Sequence, residues 1–172
     1  MSSEFEGVRA LVTGGGSGIG ADTVRLMTEQ GARVASVDVA DHAAPDGAFA
    51  LVGDVSRPDI ADVVAEAAER LGGLDVVVNN AGIGAAGSVE ETDDDTFRRL
   101  FEVNVLGPAR ITRAALPHLR ESDSAAVVNT CSVAAQIGLP ARTAYSASKG
   151  ALHALTLAMA ADHMADGIRV CG

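Results

Sequence analysis

Short apolar, β-branched runs alternate with longer helical stretches along the chain, and this alternation restricts the possible folds more than any other feature. Val8–Thr13, Arg33–Asp38, Phe49–Val52, Leu74–Asn79 and Ala125–Cys131 read as strands, and Ile168–Cys171 as the start of another. Gly18–Gln30, Pro58–Leu71, Thr92–Arg120 and Ala144–Met164 read as helical, the third as two helices or one broken near Pro108. Strands and helices in this order form a parallel sheet covered on both faces. Leu74–Val78 is nearly continuous in apolar residues, as a strand buried on both faces requires.

Local chemistry explains several boundaries. Gly31 follows the first helix, where a left-handed residue is favoured. Ser56 precedes Pro58 and is placed to cap the second helix, with the proline in its first turn. Thr92 opens the third, and Asp93, Asp94 and Asp95 meet the positive end of its dipole. That explanation of the acidic triplet leaves no need for a metal, and none is expected.

Of 172 residues, 48% are apolar, enough for a substantial core in one domain, expected over 1–172. The formal charge of −10 disfavours nucleic-acid binding, which needs a basic face. No apolar run reaches the ~18 residues of a membrane span, so no membrane partner is expected. The N-terminal segment, with Glu4 and Glu6, has neither a secretory nor a transit pattern, and Cys131 and Cys171 lack metal or redox spacing. Reduced thiols and a cytoplasmic location are the expectation.

Thr13-Gly14-Gly15-Gly16-Ser17-Gly18-Ile19-Gly20 joins the first strand to the first helix. Glycines there permit a tight turn and let backbone approach a ligand, while N–H groups at the helix start face a pyrophosphate. A glycine-rich run alone is weak evidence; the strand–turn–helix context strengthens it. Asp38 ends the second strand, 18 residues beyond Gly20. A carboxylate there accepts hydrogen bonds from ribose hydroxyls and repels a 2′-phosphate, which favours NAD over NADP; the other reading is a solvated loop acid. No basic residue follows it, since position 39 is Val39.

Tyr145-Ser146-Ala147-Ser148-Lys149 places a phenol and an ammonium four apart, on one face of a helix. A fixed cation favours the phenolate and makes proton exchange feasible near neutral pH. The spacing alone occurs often by chance. Ser132 lies 13 residues before Tyr145, at the end of a strand, where its hydroxyl is either a substrate ligand or an ordinary turn residue.

These motifs together resemble the short-chain dehydrogenase/reductase family, in its branch with TGxxxGxG and YxxxK. Thr13-Gly14-x-x-x-Gly18-x-Gly20 resembles its cofactor loop, and Asn79-Asn80-Ala81-Gly82 its NNAG motif. The resemblance implies a Rossmann-like, doubly wound α/β/α sheet. It implies cofactor binding by Gly14, Ser17, Gly18, Ile19, Gly20, Asp38, Asp54, Val55, Asn80, Ala81 and Gly82, together with Tyr145 and Lys149. Asn104, Ser132, Tyr145 and Lys149 match the catalytic group, with Asn104 as the proton-relay member. The implied activity is hydride transfer between NAD and a small-molecule secondary alcohol or ketone. Gln136–Leu139 would border the substrate, and His118 and His153 occupy no catalytic position. A homodimer or homotetramer is expected, through the Thr92–Arg120 and Ala144–Met164 helices. Relatives continue beyond Gly167–Val170 with a further helix and a last strand, which are absent before Gly172. That expected lack leaves a catalytically silent NAD-binding or scaffold protein as the alternative.

Overall fold

A computed structural model describes residues 3–172 of the chain. Six strands form one parallel sheet in the order β3-β2-β1-β4-β5-β6: β1 Arg9–Thr13, β2 Arg33–Asp38, β3 Ala48–Val52, β4 Val76–Asn79, β5 Ala126–Asn129 and β6 Arg169–Cys171. The helices are α1 Gly18–Glu29, α2 Ile60–Leu71, α3 Asp94–Phe101, α4 Gly107–Leu119 and α5 Thr143–Asp162. A π turn, Glu102–Leu106, joins α3 to α4, and a short 3₁₀ turn, Val133–Ala135, precedes α5. The parallel sheet is as expected from the alternation, and its Rossmann-like α/β architecture as the resemblance implies.

Val64, Ala67 and Leu71 of α2 and Ile111, Ala115 and Leu119 of α4 cover one sheet face, packed on Leu11, Val77 and Val127. Val24 and Met27 of α1 cover the other, packed on Ala10, Val12 and Val34. Helix α5 lies on the same face as α4. Asn79 Nδ2 donates to Thr112 of α4 at 3.1 Å and to Asn129 Oδ1 at 2.9 Å, and Asn129 Nδ2 donates to Thr156 of α5 at 2.9 Å. This buried amide ladder ties two central strands to two helices where apolar packing alone would not fix their register.

Some expected boundaries shift for physical reasons. The third helical stretch is two helices, as expected, with the junction just before Pro108, which sits in the first turn of α4 and needs no N–H there. The irregularity is the π turn before it. The cap of α3 is Asp93, not Thr92: its carboxylate accepts from Thr96 N at 2.8 Å. Ser56 does not cap α2; its N–H and hydroxyl both donate to Asp54 Oδ1, at 2.9 and 2.7 Å, and Asp59 takes the cap position. Strand β5 stops at Asn129 because Cys131 N turns back onto Asn129 O at 2.8 Å. Val76 and Val78 are half-buried, so β4 alternates rather than being fully covered on both faces.

The strand order reverses direction between β1 and β4, and the loops leaving these neighbouring strands diverge at their carboxyl ends. Parallel sheets bind ligands in the crevice this opens.

Candidate active site

The crevice is a cleft of about 1030 Å³ across the carboxyl ends of the strands. The glycine-rich loop forms one wall. Thr13 is buried, and its hydroxyl accepts from Asn80 N and Ala81 N, both at 3.1 Å. Asn80 Nδ2 donates back to Thr13 O at 3.1 Å. These bonds lock the end of β1 to the end of β4. Gly14 has φ 66°, and a Cβ there would lie 2.9 Å from Ala81 Cα. A Cβ on Gly20 would lie 2.0 Å from Gly14 O, so that glycine serves the close approach of helix and loop. Helix α1 begins after Ser17 with no side-chain cap and no acid in its first turn. Its first N–H groups thus face the cleft without a competing side-chain acceptor, as an anion site requires.

Asp38 stands beside this loop. One carboxylate oxygen accepts from Gly16 N at 3.0 Å and the other from Ala40 N at 3.2 Å, which fixes the side chain at the mouth of the cleft. Asp54, Val55, Asn80, Ala81 and Gly82 line the floor, with Ser17 and Ile19 on the loop side. Gly18 has φ 52° and, like Gly20, shapes the loop without lining the cleft.

Tyr145 and Lys149 enter from the first turns of α5 and line the opposite end. Lys149 is buried, and its Nζ donates to Thr130 O at 2.7 Å. Burial pushes the ammonium below the usual lysine range, and the neighbouring Cys131 opposes that shift. Asn104 is fully buried in the π turn. Its Oδ1 accepts from Ile83 N and its Nδ2 donates to Ile83 O, both at 2.9 Å, with a further bond to Ser148 Oγ at 3.0 Å. The specific partner expected of an asparagine inside a helix is therefore the Ile83 peptide. A Cβ on Gly82 would lie 3.2 Å from Asn104 Oδ1 and 3.6 Å from Lys149 Nζ, so amide and ammonium lie within about 7 Å of each other. Ser132 heads the 3₁₀ turn beside α5, and its hydroxyl accepts from Ala134 N at 3.2 Å.

Ser132 and Asn104 do not line the cleft, nor do Gln136–Leu139, which are exposed, or His118 and His153. The cleft also takes in Ile83, Gly84, Arg99, Thr130 and Arg142, which were not foreseen. Thr130 was legible in principle, as the residue just past a central strand. The arginines carry no such signal. Among the described residues no group of three or more His, Cys, Asp or Glu is placed to hold a metal, and no helix is long and apolar enough to cross a membrane.

Residues 9–172 match the short chain dehydrogenase family. An uncharacterized oxidoreductase of Thermotoga maritima is 38% identical over 96% of this chain and 70% of its own length. The L-fucose dehydrogenase of Bos taurus is 39% identical over 99% of this chain and 66% of its own. Among solved structures, 3-ketoacyl-(acyl-carrier-protein) reductase of Brucella melitensis, complexed with NADH, superposes with a TM-score of 0.91 at 32% identity. That superposition covers 97% of this chain and 74% of the reductase. The chain thus spans about two thirds of the length of such relatives. With the fold, the loop and the Tyr–Lys pair all in agreement, the chain belongs to the short chain dehydrogenase family.

Proposed function

We propose that this protein is an oxidoreductase that moves a hydride between NAD and a small-molecule secondary alcohol or ketone. The observation that carries this reading is that Tyr145 and Lys149 line one cleft with Ser17, Ile19 and Asp38. The residues present fit a dinucleotide. The uncapped start of α1 suits its pyrophosphate, Gly14 brings the loop backbone to the cleft wall, and Asp38 suits a ribose diol. The Asp38 carboxylate, fixed at the mouth, disfavours a 2′-phosphate, and Val39 beside it offers no compensating cation.

The nicotinamide ring supplies the hydride acceptor or donor when bound. The chain supplies position and proton chemistry. Tyr145 takes the alcohol proton during oxidation and returns it during reduction. Lys149, held by Thr130 O, places a cation on the same helix face as the phenol and is available to the nicotinamide ribose hydroxyls. Ser132, two residues past the cleft-lining Thr130, is the group assigned to steady the substrate oxygen. Asn104 holds Ile83 and borders Lys149 as the next member of a proton relay. The α3–α4 rod and α5 are the proposed contact of a homodimer or homotetramer.

Absorbance at 340 nm with NAD and a panel of secondary alcohols tests the reading. NAD is expected to support faster turnover than NADP. Tyr145→Phe should lower kcat by about 10²–10⁴-fold and leave NADH affinity unchanged. Tight NADH binding with no turnover of any alcohol would favour the silent-protein alternative, and near-normal activity of the phenylalanine variant would exclude Tyr145 as the acid–base group.

A further inference from the structure

Arg142 lies three residues before Tyr145 and lines the same cleft. Its backbone is held from both sides. Ala141 has φ 53°, the one non-glycine residue with positive φ among those described. A residue with a Cβ keeps that conformation only where its surroundings impose it, and such residues cluster at ligand sites. Here the imposing partner is Gly87. Gly87 N donates to Ala141 O at 2.9 Å, and Thr143 N donates to Gly87 O at 3.2 Å, forming an isolated parallel bridge between Gly87 and Arg142. The bridge joins the loop after β4 to the start of α5.

The side chain of Arg142 crosses that loop, and its Nη1 donates to Ala85 O at 3.3 Å. A Cβ on Gly84 would lie 3.9 Å from Tyr145 Cδ2 and 4.0 Å from Arg142 Nη1, so ring and guanidinium lie within about 8 Å of each other. Seven arginines pair with carboxylates; of the two that line the cleft, Arg99 and Arg142, neither has an ion pair among the described residues, and Arg142 is the one whose guanidinium lies near the Tyr145 ring. Acids are not scarce, with 23 Asp and Glu against 13 Lys and Arg. Most of its five N–H donors remain free for a planar acceptor. In a chain of net charge −10, this is a local positive feature beside the reacting end of the cleft.

We propose that Arg142 sets substrate class: the alcohol or ketone carries a carboxylate a few bonds from its carbinol carbon. This rests on the oxidoreductase reading above. The guanidinium grips the carboxylate with paired hydrogen bonds, and that second attachment holds the carbinol carbon toward Tyr145. The substrate is a short hydroxy acid or keto acid. Arg142 is a specificity residue and takes no part in proton or hydride transfer.

The test compares lactate, 3-hydroxybutyrate and 4-hydroxypentanoate, each against its methyl ester, by NAD reduction with wild type, Arg142→Ala and Arg142→Lys. Wild type should prefer at least one acid over its ester by roughly tenfold or more in kcat/KM. Arg142→Ala should collapse that ratio, mainly through KM for the acid. Arg142→Lys should restore part of it, since an ammonium keeps the charge without the fork, and it serves where the alanine variant fails to fold. Absence of any acid preference in wild type, or its persistence in Arg142→Ala, overturns the proposal. If no alcohol is oxidised at all, the oxidoreductase reading fails separately. Calorimetry of pyruvate, acetoacetate and levulinate with the NADH-loaded protein then decides the role of Arg142. Binding of at least one keto acid, weakened roughly tenfold by Arg142→Ala while its methyl ester is unaffected, supports it. Equal binding by both proteins, or no binding of any keto acid, refutes it.

Discussion

Lys149 is the single lysine of the chain, and Tyr145 is the single tyrosine in a sequence without tryptophan. Burial holds the Lys149 ammonium below the ordinary lysine value of 10.5. A ¹³C-lysine NMR titration therefore reports this one side chain, and its midpoint is expected below 10.5; a midpoint at or above 10.5 contradicts the burial argument. Between the lowered folded value and the unfolded one, the unfolded chain binds more protons than the folded chain. Stability from this site should rise with pH across that window, and its burial cost is felt in full below it. The Tyr–Lys pair was legible because the four-residue spacing on a helix is a local rule. Arg142 was not, because its meaning depends on Gly87 and Ala85, more than fifty residues earlier in the chain.

Strand ends carry much of the element-scale stability. Asp75, just before β4, accepts from Arg9 N and Nε at 2.9 Å, from Arg9 Nη2 at 2.7 Å and from Ser122 Oγ at 2.6 Å. The Arg9 hydrogen bond, more than any other contact, holds this carboxyl far below the usual carboxylate range. This cluster ties β1 and β4 to the loop entering β5, opposite the cleft. Asp75→Asn is expected to lower stability by about 2–4 kcal/mol at neutral pH in urea unfolding. The lowered pKa gives the sign: the stabilisation is present above the unfolded value near 3.8 and is lost as pH falls through the folded one. The variant should thus show a shallower loss of stability than wild type as pH drops below about 4; an equal slope would mean that Asp75 is not the group responsible. Helix existence was legible from the alternation with strands, while caps were less so. Ser56 and Thr92 had the right chemistry for caps, but Asp54 and Asp93 made competing local hydrogen bonds that one-dimensional reading cannot rank.

At the scale of the whole molecule, the proposed pairing of subunits makes a direct prediction. Leu157 on α5 is 60% exposed and Leu106, at the end of the π turn, is 42% exposed, and both lie on the elements of the proposed contact. Light scattering is expected to give a mass at least twice 17.4 kDa at micromolar concentration, and Leu157→Glu should shift it toward the monomer. A wild-type monomer would end the proposal. The α/β layering, the glycine-rich loop, Asp38 at a strand end and the Tyr145–Lys149 pair could be read from the linear chain, since each rests on alternation or spacing along it. It took the folded chain to show that Asn104 holds the Ile83 peptide, that Asn79, Asn129, Thr112 and Thr156 form one buried ladder, and that Arg142 is bridged to Gly87 and bonded to Ala85. The reason is physical: a parallel sheet joins neighbouring strands through long crossovers, so the residues that meet at its carboxyl edge come from distant parts of the chain.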